Sequence, residues 1–376
     1  MQRYGKLLAE LDRRGRLRRL GPAQGADFSS NDYLALAGSA ALRQALEEAL
    51  ARGVPAGAGA SRLLRGNHPE HEALEAKATS FFGGEKALFF SSGFLANFAI
   101  WSLLPDRSDV VIHDALIHAS CREGMRAGPA PRVEVRHNDA GAVEEAIRAW
   151  RSSGGRGRPW IAVESLYSMD GDRAPLEALV DIGKRHDALL VVDEAHASGV
   201  LGPGGRGLAA PYTENPNVVC LHTCGKALGA SGALVCGTGD VIEFLVNRSR
   251  PFIYSTAPSP LMAVAVRCAI ELLEREPERR LKLLQLIEAT NRRLNERCGV
   301  PPTGSQIIPV IVGAAGRTMR LASALQARGF DLRGIRPPTV PEGTSRLRIS
   351  LTLNVDQATC DAMVDALTEE LGRLGK

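Results

Sequence analysis

Between residues 87 and 237 the chain repeats one pattern: a short apolar run of strand length, then a stretch with apolar residues at helical spacing. Strand-type runs fall at 87–90, 109–112, 132–136, 160–164, 189–193, 218–222 and 233–237. Helical patterns lie between them at 114–126, 140–152 and 175–187, and another helix opens at Ser91-Ser92-Gly93-Phe94 and runs to about Leu104. Runs such as Leu189-Leu190-Val191-Val192 are apolar at every position rather than at alternate ones. A strand of that kind needs cover on both faces. The alternation therefore predicts an α/β fold: βαβ units, a mostly parallel central sheet and helices on both sides of it.

The flanks read differently. An amphipathic helix is predicted over 3–19, with Tyr4, Leu7, Leu8 and Leu11 at helical spacing. Phe28-Ser29-Ser30-Asn31-Asp32-Tyr33-Leu34 leads into a helix over 40–52, and a glycine-rich loop (53–66) precedes a helix over 69–82. After Tyr254-Ser255-Thr256-Ala257-Pro258 come helices at 258–275 and 277–297, short strands at 306–312 and 346–352, and helices at 316–328 and 356–373. The expected organisation is an N-terminal helical arm (1–38), a large domain (39–265) and a smaller α+β C-terminal domain (266–376). A chain of 376 residues has room for both domains.

Composition removes several function classes. The net charge of +4, from 46 basic and 42 acidic residues, is too small a bias to argue for nucleic acid or membrane. No apolar run approaches the 18 residues of a membrane span, and Met1–Leu20 lacks the apolar core of a signal peptide. Seven cysteines, an odd number with no C-x-x-C pair, read as reduced thiols of a cytoplasmic protein. Cys220 and Cys224 have no matching His/Cys pair at zinc-site spacing, so no metal is expected. Arg13, Arg14, Arg16, Arg18 and Arg19 form either a solvated basic face or a site for a carboxylate or phosphate.

Two motifs match by letter only. Asp193-Glu194-Ala195-His196 spells a helicase signature, but the chain has no G-x-x-x-x-G-K-[ST] loop to cradle nucleotide phosphates. Gly202-Pro203-Gly204-Gly205-Arg206-Gly207 fits G-x-G-x-x-G, yet it does not join a strand to a helix inside a βαβ unit.

Other residues converge. In a parallel sheet, ligands bind beyond the carboxyl ends of the strands. Asp193 ends one apolar run, with His196 three residues on. Ser168 follows the run ending at Glu164, and Thr223 and Lys226 follow the run at 218. Gly93 and Phe94 begin a helix, whose free N–H groups and positive end suit a phosphate. Lysines number only seven, and Lys226 alone follows a strand-like run and sits among small residues. A desolvated lysine condenses with a carbonyl, and a carboxylate can keep a pyridine nitrogen protonated. The set describes pyridoxal 5′-phosphate, held by a Schiff base. Gly229 and Gly232 are expected to keep room for this cofactor and a neighbouring subunit.

The stretches FSSNDYLALA, GAGASRLLRGNHPEHEALE, FFSSGFLAN, SMDGD, VVDEAHASGVLG, HTCGKALGASGA, IYSTAPSP and IRPPTVPEGTSRLRISLT resemble the α-oxoamine synthases over nearly the whole chain. These are fold-type I pyridoxal-phosphate transferases that condense an amino acid with an acyl thioester. The resemblance implies that Lys226 carries the cofactor and moves the substrate α-proton, that Asp193 pairs with the pyridinium nitrogen, and that His196 bonds the phenolic oxygen. It implies that His118 stacks on the ring, that Ser168 and Thr223 contact the cofactor, and that Gly93 and Phe94 hold it through their backbone. Ser255 and Thr256 would reach the phosphate of the neighbouring subunit in a homodimer. Arg348, helped by Asn31, would clamp the amino-acid carboxylate as a planar bidentate donor. Thr339 and an N-terminal arginine (Arg18, with Arg16 and Arg19 as alternatives) would lie at the acyl substrate. Arg65 departs from the family pattern, which has a small hydroxyl residue there.

Compact length, His137-Asn138-Asp139 and Arg336-Pro337-Pro338-Thr339-Val340-Pro341 resemble the biotin-pathway branch of the family. That branch implies L-alanine and a pimeloyl thioester, carried by coenzyme A or a carrier protein, as substrates. Glycine- and serine-using branches share every cofactor residue. A cofactor-binding regulator without turnover is the alternative of another class.

Overall fold

The computed structural model describes residues 2–18 and 20–374. In chain order the elements are α1 (Gln2–Arg13), β1 (Ala26–Asp27), α2 (Ala40–Ala51), α3 (Pro69–Phe82), β2 (Lys86–Phe90), α4 (Gly93–Leu103), β3 (Val110–Asp114), α5 (Ala119–Ala127) and β4 (Arg132–Val135). Then come α6 (Ala140–Ser152), β5 (Pro159–Glu164), α7 (Leu176–His186), β6 (Leu189–Asp193), β7 (Val218–Thr223), β8 (Ala233–Gly237), α8 (Gly239–Arg248), α9 (Arg250–Ile253) and α10 (Pro260–Arg275). The last are α11 (Pro277–Cys298), β9 (Ile307–Gly313), α12 (Ala315–Ala327), β10 (Phe330–Asp331), β11 (Arg333–Ile335), β12 (Ser345–Ser350) and α13 (Gln357–Leu374).

Two compact units emerge. One comprises Leu34–Ser168 and Arg173–Leu281. It contains a seven-stranded sheet of order β2-β8-β7-β6-β5-β3-β4, in which β3 to β7 run parallel and β8 is antiparallel to both neighbours. The all-apolar strands are explained by their two faces. On one face Trp160, Ala162, Leu189, Val191, Val219 and Leu221 pack with residues of α4, α5 and α8. On the other, Ile161, Val163, Leu190, Val192, Val218 and Cys220 pack with residues of α6 and α7. Successive side chains of one strand thus enter opposite layers. Each fully buried aliphatic side chain of this kind stabilises by about 1.5–3 kcal/mol.

The second unit gathers the residues through Tyr33, Met169–Asp172 and those from Lys282 onward. Its antiparallel sheet has the order β11-β12-β9, and β1 pairs in parallel with β10. The break falls at 281/282 inside α11 rather than at 265, and the N-terminal arm groups with this unit instead of standing apart. Backbone pairing is the reason: Ala26 and Asp27 add a strand to Phe330 and Asp331, and Ser350 N donates to Phe28 O.

Local chemistry sets most boundaries. Ser92, Asp139 and Thr238 cap α4, α6 and α8 by accepting a hydrogen bond from the third residue on. Two predicted helices are shorter than expected. The one placed at 114–126 starts at Ala119, because Asp114 completes β3 and its carboxylate accepts from Leu116 N and Asn138 N. The one placed at 3–19 stops at Arg13, just before Gly15 at φ +62°. Among the described residues no helix is long and apolar enough to cross a membrane.

Candidate active site

The carboxyl ends of three adjacent parallel strands, β5, β6 and β7, carry Glu164, Asp193 and Thr223. Asp193 is 6% exposed. Its Oδ1 accepts from Ala195 N at 2.9 Å and its Oδ2 from Asn97 Nδ2 at 2.7 Å. A carboxylate held by two donors keeps its position. Three residues on, His196 is buried, and its Nε2 lies 2.8 Å from Lys226 Nζ.

Lys226 stands in the connection from β7 to β8, which folds tightly on itself through Cys224 N to Gly232 O, Gly229 N to Lys226 O and Ala230 N to Cys224 O. Here the expectation for the small residues changes. Gly229 has φ +62°, and a Cβ there would lie 2.4 Å from Ala37 N. Gly232 has φ +114°, and a Cβ would meet the Phe89 ring at 2.4 Å. Both glycines are therefore demanded by backbone conformation and by packing against this chain, not by room for a ligand.

Helix α4 points its N-terminus at the same group. Ser92 Oγ accepts from Leu95 N, and Ser92 O from Ala96 N, which leaves the N–H groups of Gly93 and Phe94 without a partner inside the helix. Gly93 is packed so closely on β7 that a Cβ would sit 2.6 Å from Thr223 Cγ2. Thr223 Oγ1 donates to Ala195 O at 3.4 Å.

His118 caps α5, accepting from Ser120 N at Nδ1. Its ring surface is open, yet the surrounding protein disfavours the imidazolium and lowers its pKa. Asp193 opposes this shift and Lys226 adds to it. Ser168, half-buried, donates its N–H to Glu164 Oε2.

Asn97, Ser120 and Glu164 were not anticipated. Asn97 is a polar residue among the otherwise apolar buried positions of α4, and that oddity was the available signal. Glu164 ends an apolar strand as Asp193 does, and it sits beside Asp193 in register. Burial pushes its carboxyl up to about 8, with Asp193 as the next cause. Glu194, the second acid of the helicase-like motif, faces away. It accepts from Ser165 Oγ, Leu208 N and Ala209 N, and a Cβ at Gly207 would press on its carboxylate at 2.6 Å. The Gly202–Gly207 motif is thus a loop wrapped around a buried acid.

Glu164 makes stability depend on pH. Its folded pKa, about 8, is above its unfolded value of 4.5, so between these limits the native state keeps a proton that the unfolded chain has lost. Stability falls as pH rises through that window, by at most about 1.4 kcal/mol per unit. For cofactor-free protein, the urea midpoint is expected to drop from pH 5.5 to 7.5, and Glu164→Gln is expected to flatten the drop. Equal slopes in both proteins would show that Glu164 is ionised throughout.

The remaining predicted residues fall in two places. Ser255 and Thr256 lie in the turn between α9 and α10, half-buried and exposed respectively, and Ala257 N ties that turn to Ala60 O. In the other unit, Arg348 on β12 is 7% exposed and donates to Ser350 Oγ at 2.7 Å and to Asn31 Oδ1 at 3.0 Å. Tyr33 OH donates to the same Asn31 oxygen. Arg18 Nη2 donates to Thr339 Oγ1 at 3.1 Å, which joins two residues expected separately at the acyl substrate. Arg16 pairs instead with Glu342, and Arg19 lies outside the described residues.

The strand-end cluster offers an amine next to an imidazole, a braced carboxylate and a helix N-terminus. Those groups fit an aldehyde, a pyridine nitrogen and a phosphate, and so could hold pyridoxal 5′-phosphate. Comparison with known proteins points the same way. The family model for aminotransferase class I and II matches residues 23–367. An 8-amino-7-oxononanoate synthase of Anaeromyxobacter dehalogenans is 43% identical over 98% of this chain and 95% of its own. A serine palmitoyltransferase solved with PLP as internal aldimine superposes with a TM-score of 0.85 at 27% identity, over 93% of this chain and 87% of that one. The 8-amino-7-oxononanoate synthase of Francisella tularensis gives 0.78 at 27% identity, over 93% and 98% of the two chains.

Proposed function

Since this chain belongs to the aminotransferase class I and II family and is a pyridoxal 5′-phosphate-dependent enzyme of the acyltransferase type, we propose that it joins L-alanine to a pimeloyl thioester with loss of carbon dioxide. The product is 8-amino-7-oxononanoate, an intermediate of biotin synthesis. The observation that carries this reading is the likeness to 8-amino-7-oxononanoate synthases over nearly the whole chain, and the contact of Lys226 Nζ with His196 Nε2 beside the doubly held Asp193 carboxylate supports its cofactor chemistry.

The bound cofactor supplies an electron sink for the carbanion at the amino-acid Cα. The chain's own residues do the rest. Asp193 would keep a proton on the pyridine nitrogen. His196 would bond the phenolic oxygen, His118 would stack on the ring, and Ser168 and Thr223 would contact the cofactor. The backbone N–H groups of Gly93 and Phe94 would take the phosphate. Lys226 removes the α-proton and returns it after decarboxylation. Arg348, oriented by Ser350 and Asn31, clamps the carboxylate of alanine. Arg18 and Thr339 meet the acyl group.

The proposal includes a homodimer in which Ser255 and Thr256 reach the partner's cofactor phosphate. The large exposed side chains of Tyr254 (75%), next to these positions, and of Phe94 (48%), in the first turn of α4, support such an interface. Seven free cysteines support a cytoplasmic location.

Purified protein carrying the cofactor is expected to change its visible spectrum on addition of L-alanine and hardly at all with glycine or serine. Alanine with pimeloyl-CoA should then release thiol. Equal thiol release with glycine would move the enzyme to the glycine-using branch. A spectral response with no release from any acyl thioester would favour a regulator.

A further inference from the structure

Four side chains, from β6, α4, and α5 with its N-cap, form a hydrogen-bonded line in the large unit: Asp193, Asn97, Ser120 and His118. Asn97 Nδ2 lies 2.7 Å from Asp193 Oδ2 and 3.0 Å from Ser120 Oγ. Ser120 Oγ lies 2.7 Å from His118 Nδ1, and Ser120 N donates to the same nitrogen at 3.2 Å. Asn97 and Ser120 are 2% and 0% exposed, so no solvent competes for these bonds.

The hydrogens in this line can be assigned one by one. The Asn97 amide must turn its nitrogen to Asp193, because the alternative would set two acceptor oxygens at 2.7 Å. Its second N–H then points at Ser120 Oγ, which accepts. The single Ser120 hydroxyl hydrogen remains for His118 Nδ1. That nitrogen also receives the Ser120 N–H, so it must present a lone pair. The ring proton is thereby placed on Nε2.

We propose that Asn97, acting through Ser120, is a positioning residue that holds His118 in the Nε2–H form while it braces the Asp193 carboxylate. His118 then meets its ligand as a hydrogen-bond donor and does not act as a base. Protonating it at Nδ1 would set that hydrogen against two donors, and the lowered pKa of His118 agrees. The charged groups facing the ring are Asp193, which favours the imidazolium, and Lys226, which opposes it. The inference rests on the cofactor site but on neither substrate, so it stands or falls independently of the alanine and acyl assignments.

The test is NMR of holoenzyme labelled with ¹⁵N and ¹³C at histidine, with His118 assigned by loss of its signal in His118→Asn. Wild type is expected to show His118 as the Nε2–H tautomer, with its imidazolium titrating below the ordinary histidine range. Asn97→Ala and Ser120→Ala should mix the tautomers and raise the His118 pKa by about one unit, whereas Ser120→Thr, which keeps the hydroxyl, should match wild type. Asn97→Ala should also weaken cofactor binding, which Ser120→Ala should leave nearly unchanged. A wild-type His118 carrying its proton on Nδ1 overturns the proposal, and this result needs no variant. So does a tautomer and titration unaltered in both alanine variants.

Discussion

Lys226→Ala is expected to fold, to bind pyridoxal 5′-phosphate reversibly, and to lose turnover by at least about 10⁴-fold, the scale of an entire acid–base contribution. Folding should survive because Lys226 is only partly buried and lies in a turn closed by backbone bonds of its neighbours. The truncation removes one contact with His196, a loss of about 1 kcal/mol. What disappears is the lysine of the strand-end cluster that, on the proposed reading, would both attach the cofactor and take the α-proton. Borohydride treatment followed by mass spectrometry reads the first loss directly. Wild type should gain the cofactor mass irreversibly on the peptide containing Lys226, and the variant should release its cofactor on denaturation. Retention of both the fixed cofactor and thiol release by the variant would falsify the assignment of Lys226.

Asp193→Asn should produce the next largest effect: cofactor retained with weaker affinity, and kcat lowered by about 10²–10³-fold, the range found when one preorganised charge-stabilising group is lost. A neutral amide cannot keep the pyridine nitrogen protonated, so the ring draws electrons less well. The structure adds a second consequence. The new amide can still accept from Ala195 N with its oxygen, but its nitrogen then faces Asn97 Nδ2, donor against donor. Asn97 must flip, and the flip reverses its bond to Ser120, whose hydroxyl hydrogen is then drawn to the Asn97 oxygen and away from His118 Nδ1. The His118 tautomer should therefore loosen in Asp193→Asn as well, although the two residues are not directly bonded. Steady-state kinetics with L-alanine and pimeloyl-CoA measures the first effect, and the His118 NMR signal measures the second. Full activity with bound cofactor would mean that another group protonates the ring.

These effects divide according to how far the sequence could be read. Asp193, His196, Thr223 and Lys226 were legible because each sits a few residues past an apolar run. Parallel strands of one sheet all end on one side, so residues past their ends lie along one edge of the sheet. The fold class was legible for the same reason, since strand and helix periods appear in a window of a few residues. Asn97 and Ser120 carry no such mark. Asn97 meets Asp193 across 96 residues of chain, and Arg18 meets Thr339 across 321. Contacts of that span depend on strand order and loop paths, which no local period records.

The two glycines beside Lys226 make the same distinction at short range. Their smallness was visible, but what it was for was not. Positive φ and the approach of Ala37 and Phe89 explain it, and both are properties of the packed chain. The sequence by itself determined the layers of the sheet and the chemical groups at its carboxyl edge, because those follow from periodicity and residue type. Only the tertiary structure decided which group donates to which, because hydrogen-bond polarity in a buried network is set by neighbours brought together from distant parts of the chain.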